Sequence, residues 1–171
     1  THSILLNSTG AKVGAYSDNW NNTSPTSTVF SVGSSNSTGG SSSDNMIAYI
    51  FADVKGYSKV GSYTGNGNAD GTFIHTGFRP AWIIIKRSSS SGSNWHMHDT
   101  KRDPFNIVSA DLYADVGVAE DDSTDRLDIL SNGIKIKTSN GAYNTNGATY
   151  IYMAFAESPF VNSNGIPNNA R

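Results

Sequence analysis

Met46-Ile47-Ala48-Tyr49-Ile50-Phe51-Ala52-Asp53 reads against Tyr150-Ile151-Tyr152-Met153-Ala154-Phe155-Ala156-Glu157. Ile, Phe and Ala recur at matched places, and an acid closes each run. Both runs follow a stretch rich in Gly, Ser and Asn, at 39–45 and 140–149. A strand with almost no polar residue on either face has to be covered on both. The match predicts one all-β unit used twice, with the two runs as central strands of the core. Residues 1–54 read as a shortened first repeat and 55–158 as a fuller second one. Residues 159–171 read as an extended tail, and the whole chain as a single module.

Outward from these runs the chain is a series of short strands. Residues 57–64 alternate, with Tyr57, Lys59, Gly61 and Tyr63 on one face. Short strands are predicted at 3–6, 28–32 and 72–75. Residues 81–86 are strongly apolar, with Trp82, Ile83, Ile84 and Ile85; a Ser/Gly tip then leads to an alternating run at 95–99. That pair reads as a hairpin with a long tip. Leu127-Asp128-Ile129-Leu130, Ser131-Asn132-Gly133 and Ile134-Lys135-Ile136-Lys137 form the clearest local signal, a tight hairpin with Asn-Gly supplying positive φ. A helical turn is expected at 110–116, and no segment keeps a 3.6-residue apolar period over ten residues. The prediction is an antiparallel β-sandwich built from two related, partly duplicated units, with very little helix.

Composition narrows the function classes. The 171 residues carry a net charge of -2, with 36% hydrophobic and only 15% charged residues. Soluble domains average roughly 25% charged, and here Ser, Thr, Asn and Gly fill the difference. No basic patch tracks phosphates, so no nucleic-acid partner is expected. No apolar run reaches the roughly 20 residues of a spanning helix, so no membrane insertion is expected. Cysteine is missing, which removes disulfides, thiolate zinc sites and cysteine nucleophiles together.

Few residues invite chemistry. His96-x-His98 puts two imidazoles on one strand face, near Asp99 and Asp103. No third histidine stands at a supporting spacing, so the pair reads as solvent-facing and no metal is expected. Glu120 and Glu157 are the only glutamates. Glu157 and Asp53 close matched strands and read as architectural, not as a glycosidase pair. No Gly-x-Ser-x-Gly elbow is present. Neither catalytic residues nor cofactors are predicted. The oxygen-rich loops 65–71 and 121–125 read as solvated turns, with calcium as the alternative.

Lys55-Gly56-Tyr57-Ser58-Lys59-Val60-Gly61-Ser62-Tyr63-Thr64-Gly65-Asn66-Gly67, with Gly77-Phe78-Arg79-Pro80-Ala81, Leu130-Ser131-Asn132-Gly133 and the 150–157 run, resembles a module that recurs in marine bacteriophages. The proteins that carry it are large and tail-fibre-like or of unknown function. The resemblance spans nearly the whole chain and implies a C-terminal virion module; it brings no agreed catalytic or ligand residues. The first repeat lacks a counterpart of 81–99 and the chain begins Thr1-His2-Ser3, so a fragment of a longer protein is expected.

The expectation is an extracellular virion structural protein, on a tail or fibre, that adheres to a host-surface glycan or protein. It is not an enzyme, and it forms a homo-oligomer, a trimer being favoured, beside other virion proteins. Aromatic faces and loop-borne polar groups suit such contacts. The candidate receptor contacts are Tyr57, Tyr63, His96, His98 and Arg102. A non-adhesive decoration or filament subunit is the first alternative, and a glycan depolymerase the second.

Overall fold

A computed structural model describes residues 2–14, 16–40 and 45–165. Residues 41–44 of the Gly/Ser/Asn-rich stretch and 166–171 of the predicted tail lie outside the described residues. The chain divides into two compact units, Thr1–Leu5 with Lys12–Ile50, and Leu6–Ala11 with Phe51–Arg171.

The larger unit holds every named strand. The strands are β1 (Ser58–Thr64), β2 (Phe73–His75), β3 (Pro80–Arg87), β4 (His96–Asp99), β5 (Leu112–Tyr113), β6 (Leu127–Leu130), β7 (Gly133–Ile136) and β8 (Thr149–Ala156). They make two antiparallel sheets, one ordered β1-β8-β3-β4-β5 and one ordered β2-β7-β6. β8 lies between β1 and β3, with Tyr63 and Arg87 opposite Tyr150, and Gly61 and Ile85 opposite Tyr152. Its side chains alternate, because the strand period is two. Tyr150, Tyr152 and Ala154 are buried, while Ile151, Met153 and Phe155 are half-buried.

The inward residues of both sheets belong to one core. Ile83, Ile85, Tyr150, Tyr152 and Ala154 come from the first sheet, and Ile74, Leu127, Ile129, Ile134 and Ile136 from the second. The fold is therefore all-β and sandwich-like, as the alternation predicts. Each fully buried Ile or Leu contributes about 1.5–3 kcal/mol, so this shared core is what holds the sheets face to face.

The hairpin is present with its corner moved by one residue. Leu130 pairs with Gly133, which leaves Ser131 and Asn132 as the turn, and neither takes a positive φ. Gly133 is needed for space instead. A Cβ there would stand 2.2 Å from the Ile74 carbonyl oxygen and 2.9 Å from the Phe73 ring. The Asn132 carbonyl accepts the Thr76 and Gly77 amides at 3.1 Å each, which ties the corner to the end of β2.

The smaller unit corrects the reading of the first fifty residues. It contains a four-residue helix, α1 (Ser17–Trp20), and an isolated bridge between Ser3 and Val13. The Asp18 and Asn19 carbonyls accept the Ser35 and Gly33 amides, at 2.8 and 2.9 Å. No strand forms at 28–32 or 46–52, and of the predicted strand 3–6 only Ser3 enters a bridge. Ile47 and Tyr49 are each 82% exposed and Ile50 71%. The two matched runs thus occupy different settings: 150–156 is a central strand, while 46–52 is extended chain without a ladder. Residues 110–116 carry β5 rather than a helical turn. The second helix, α2 (Gly141–Asn144), falls in a stretch read as a loop.

Candidate functional site

The chain turns sharply just before β1. Gly56 takes φ 71°, which L side chains resist. The Tyr57 and Ser58 amides both donate to the Val54 carbonyl at 2.9 Å. Asp53 closes the turn: its Oδ1 accepts the Val60 amide at 2.7 Å and its Oδ2 pairs with the Lys59 ammonium. That pairing, helped by the Val60 amide, holds Asp53 below the usual carboxylate range and raises Lys59. The matched acid Glu157 is tied in the same way, 3.2 Å from Arg79. Each acid is held by a neighbouring cation, but only Glu157 follows a strand; Asp53 follows a run that forms none.

The turn faces the end of β2 across a cleft of about 560 Å³, lined among others by Lys55, Ser58, Lys59, His75 and Thr76. Lys59 is engaged by Asp53, whereas Lys55 and His75 enter no ion pair among the described residues. Tyr57 lies beside this turn, half its surface open, edge-on to Phe155 at 5.9 Å. Phe155 also meets Phe51 and Trp82 at 5.9 Å each, so an aromatic cluster flanks the turn.

The other candidate contacts are placed differently. Tyr63 is buried; it stacks on Tyr150 at 4.9 Å and donates its hydroxyl hydrogen to the Tyr143 carbonyl at 2.8 Å. His96 and His98 are 5% and 0% exposed, on the inner side of β4, which corrects their reading as solvent-facing. Arg102 is half-buried and engaged by Asp99 at 2.6 Å, by Glu120 and by the Met97 carbonyl at 3.0 Å. Only Tyr57 remains an open contact.

The two histidines meet a buried polar cluster. The Tyr143 hydroxyl, carried by α2, sits between His96 Nδ1 (3.0 Å), His98 Nε2 (2.9 Å) and Asp111 Oδ2 (2.6 Å). His96 Nδ1 is itself 2.9 Å from Asp111 Oδ2, and Arg126 Nε stands 3.7 Å from it. Among the described residues no group of three or more His, Cys, Asp or Glu is placed to hold a metal ion; here the phenol fills the space between the ligand types. Ser93 Oγ lies 3.4 Å from His96 Nε2, which completes a serine–histidine–aspartate line. Ser93 is buried and does not line the cleft. The line therefore reads as a brace of the core, not as an exposed nucleophile.

Residues 1–159 match the model of a family described as a domain of unknown function, DUF7483. The chain belongs to that family. No curated protein and no solved structure matches it.

Sequence reasoning misses most of what organises this DUF7483 chain. Asn144 is fully buried and binds the 65–71 loop; its amide donates to Asn66 Oδ1, the Asn68 carbonyl and the Thr138 carbonyl at 2.7–3.0 Å. Its oxygen accepts the Asn66 amide at 2.8 Å. Asn66, Asn68 and Asp70, candidate calcium ligands by composition, are engaged by the loop itself and by Lys135. In the 121–125 loop Asp121 accepts from Ser123 and Arg126. One signal was available: Asn140 before Gly141-Ala142 is a helix N-cap, and its side chain accepts the Ala142 amide at 2.8 Å. Among the described residues no helix is long and apolar enough to cross a membrane.

Proposed function

We propose that this chain is a non-enzymatic attachment module of a bacteriophage virion, of the C-terminal tail-fibre-like kind, which holds a host-surface glycan or protein. The observation that carries the reading is the cleft between the β1 turn and β2. Its volume of about 560 Å³ falls within the roughly 300–1,000 Å³ of small-ligand sites. Its lining of hydroxyls, an imidazole and the Lys55 ammonium, which enters no ion pair among the described residues, suits a hydroxyl-rich ligand. The weakly charged surface and the phage-module resemblance support the same reading. Single contacts of this kind are weak and gain strength from copy number on an extracellular particle.

The test is a glycan array and a host-cell binding assay with the module displayed at high density. Binding should fall at least tenfold when Lys55 and His75 are both replaced by alanine, since a hydrogen bond from a charged donor contributes about 1.5–3 kcal/mol. A module that stays inert on every surface at high valency overturns the proposal.

One observation favours a second reading, a subunit that packs only against copies of itself. The exposed run around Ile47, Tyr49 and Ile50 is apolar and built of strand-forming residue types. Light scattering should then show a mass that rises with concentration. Replacing Ile47 and Tyr49 by serine should return it to the single chain, and an unchanged mass in both proteins excludes this reading.

A further inference from the structure

We propose that His98, Tyr143 and Asp111 hold one proton in common, beyond those carried by a neutral imidazole, a phenol and a carboxylate. The hydrogens available along this line fall one short of its contacts. His98 Nδ1 lies 2.9 Å from the Ala110 carbonyl oxygen, which only accepts, so Nδ1 carries a hydrogen. A neutral ring then offers Nε2 as a bare acceptor. Nε2 is 2.9 Å from the Tyr143 oxygen, and that oxygen is 2.6 Å from Asp111 Oδ2. Two contacts need a hydrogen and the phenol supplies one. His96 does not fill the gap, because its Nδ1 hydrogen points at the Asp111 and Tyr143 oxygens from its own side.

The surroundings favour the added proton. Facing His98 are His96 from β4, Asp111 from beside β5 and Tyr143 from α2, with Arg102 acting at longer range. Arg126, just before β6, stands near Asp111 and is paired with Asp121 at 2.8 Å. Without the added proton, Asp111, Arg126 and Asp121 together carry one net negative charge; with it they are balanced. Asp111 Oδ1 is sealed from water and accepts no hydrogen bond among the described residues, a costly state for a carboxylate. Burial and the nearby Asp111 push Tyr143 well above its ordinary value, so its hydrogen stays in place. Burial pushes the His98 imidazole down to about 4, even with Asp111 and the Ala110 carbonyl pulling the other way. The proton therefore belongs to the line as a whole rather than to a simple imidazolium.

The sign of the pH dependence decides the matter. Unfolded His and Asp titrate near ~6.5 and ~3.9. Above pH ~6.5 the unfolded chain binds neither proton while the folded cluster keeps one, so stability falls as pH rises, about tenfold in the folding constant per pH unit. If instead His98 were neutral and Asp111 bare, both states would bind none above pH ~6.5. Stability would then be flat there and would fall on acidification, from pH ~6.5 toward about 4.

The experiment is urea denaturation of the whole chain from pH 5 to 9, for the wild type and for Asp111→Asn, whose amide supplies the missing hydrogen permanently. The difference between the two curves cancels other titrating groups. The expected result is a wild-type constant that drops about tenfold per unit above pH ~6.5 and a variant that lacks this slope. A wild type that is flat above pH ~6.5 and weakens only below it overturns the proposal. If that variant does not fold, His98→Gln, which cannot take up the proton, replaces it: loss of the slope is expected, and a slope kept in full overturns the proposal.

Discussion

Replacing Gly133 by alanine is expected to cost about 3 kcal/mol of stability, at the upper end of what one added methyl does in a packed core. The added carbon would stand 2.2 Å from the Ile74 carbonyl oxygen, which is backbone and cannot swing away. Gly133 is held from both sides, opposite Leu130 on β6 and His75 on β2. Any shift that relieves the clash opens the β2–β7 ladder, and Ile74, Ile134 and Ile136 of the shared core go with it. With a urea slope of about 1–3 kcal/mol per molar, the midpoint should fall by about 1–3 M. Gly117 is the matched control: nothing lies within 4 Å of an added carbon there, so its alanine variant should unfold with the wild type. Equal midpoints for the two variants would mean that β2 does not lie against β7 in this register.

Strands with a strong local pattern were legible in the sequence. β3, β6, β7 and β8 carry apolar runs or strict alternation, and they form within a residue or two of where the pattern puts them. The 57–64 alternation marks a strand but does not say which face is inner: Tyr63, expected as a contact, lies buried opposite Tyr150. Residues 46–52 have the same residue types and make no strand. A strand is made by its partners as much as by its own residues, and the run has no counterpart of β3 and β4 before it in the chain. The histidines failed for another reason. A polar residue goes inside when distant groups satisfy it. Those groups are Asp111 for His96, and Ala110 and Tyr143 for His98, 12 to 45 residues away. No spacing rule within one strand announces them. The cleft was half visible: the Lys55-Gly56-Tyr57 turn was recognisable as a motif, while His75 reaches it only through the packing of the second sheet.

Asp111→Ala is expected to cost about 3–5 kcal/mol, the usual penalty for stripping one partner from a buried charged group. Against a total stability of about 5–15 kcal/mol this brings the fold close to its limit. The carboxylate is wholly sealed from water and is the shared acceptor of His96 Nδ1 and the Tyr143 hydroxyl. Its loss leaves both donors facing a void, and it leaves Arg126 with Asp121 alone at a site where the guanidinium is almost fully buried. The damage should concentrate where the hub joins α2 to β4. Amide hydrogen exchange at Tyr143, Asn144, Met97 and His98 should therefore quicken before exchange in the β6–β7 hairpin does. Glu120→Ala removes a carboxylate from the partly exposed Arg102 pair and should cost less than about 1 kcal/mol. The contrast sets a buried hub against a surface pair: both changes delete one acid that touches an arginine, but only Asp111 is buried and also accepts from His96 and Tyr143. Similar small losses from the two would show that Asp111 is reached by water, and the buried hub would no longer explain why α2 packs where it does.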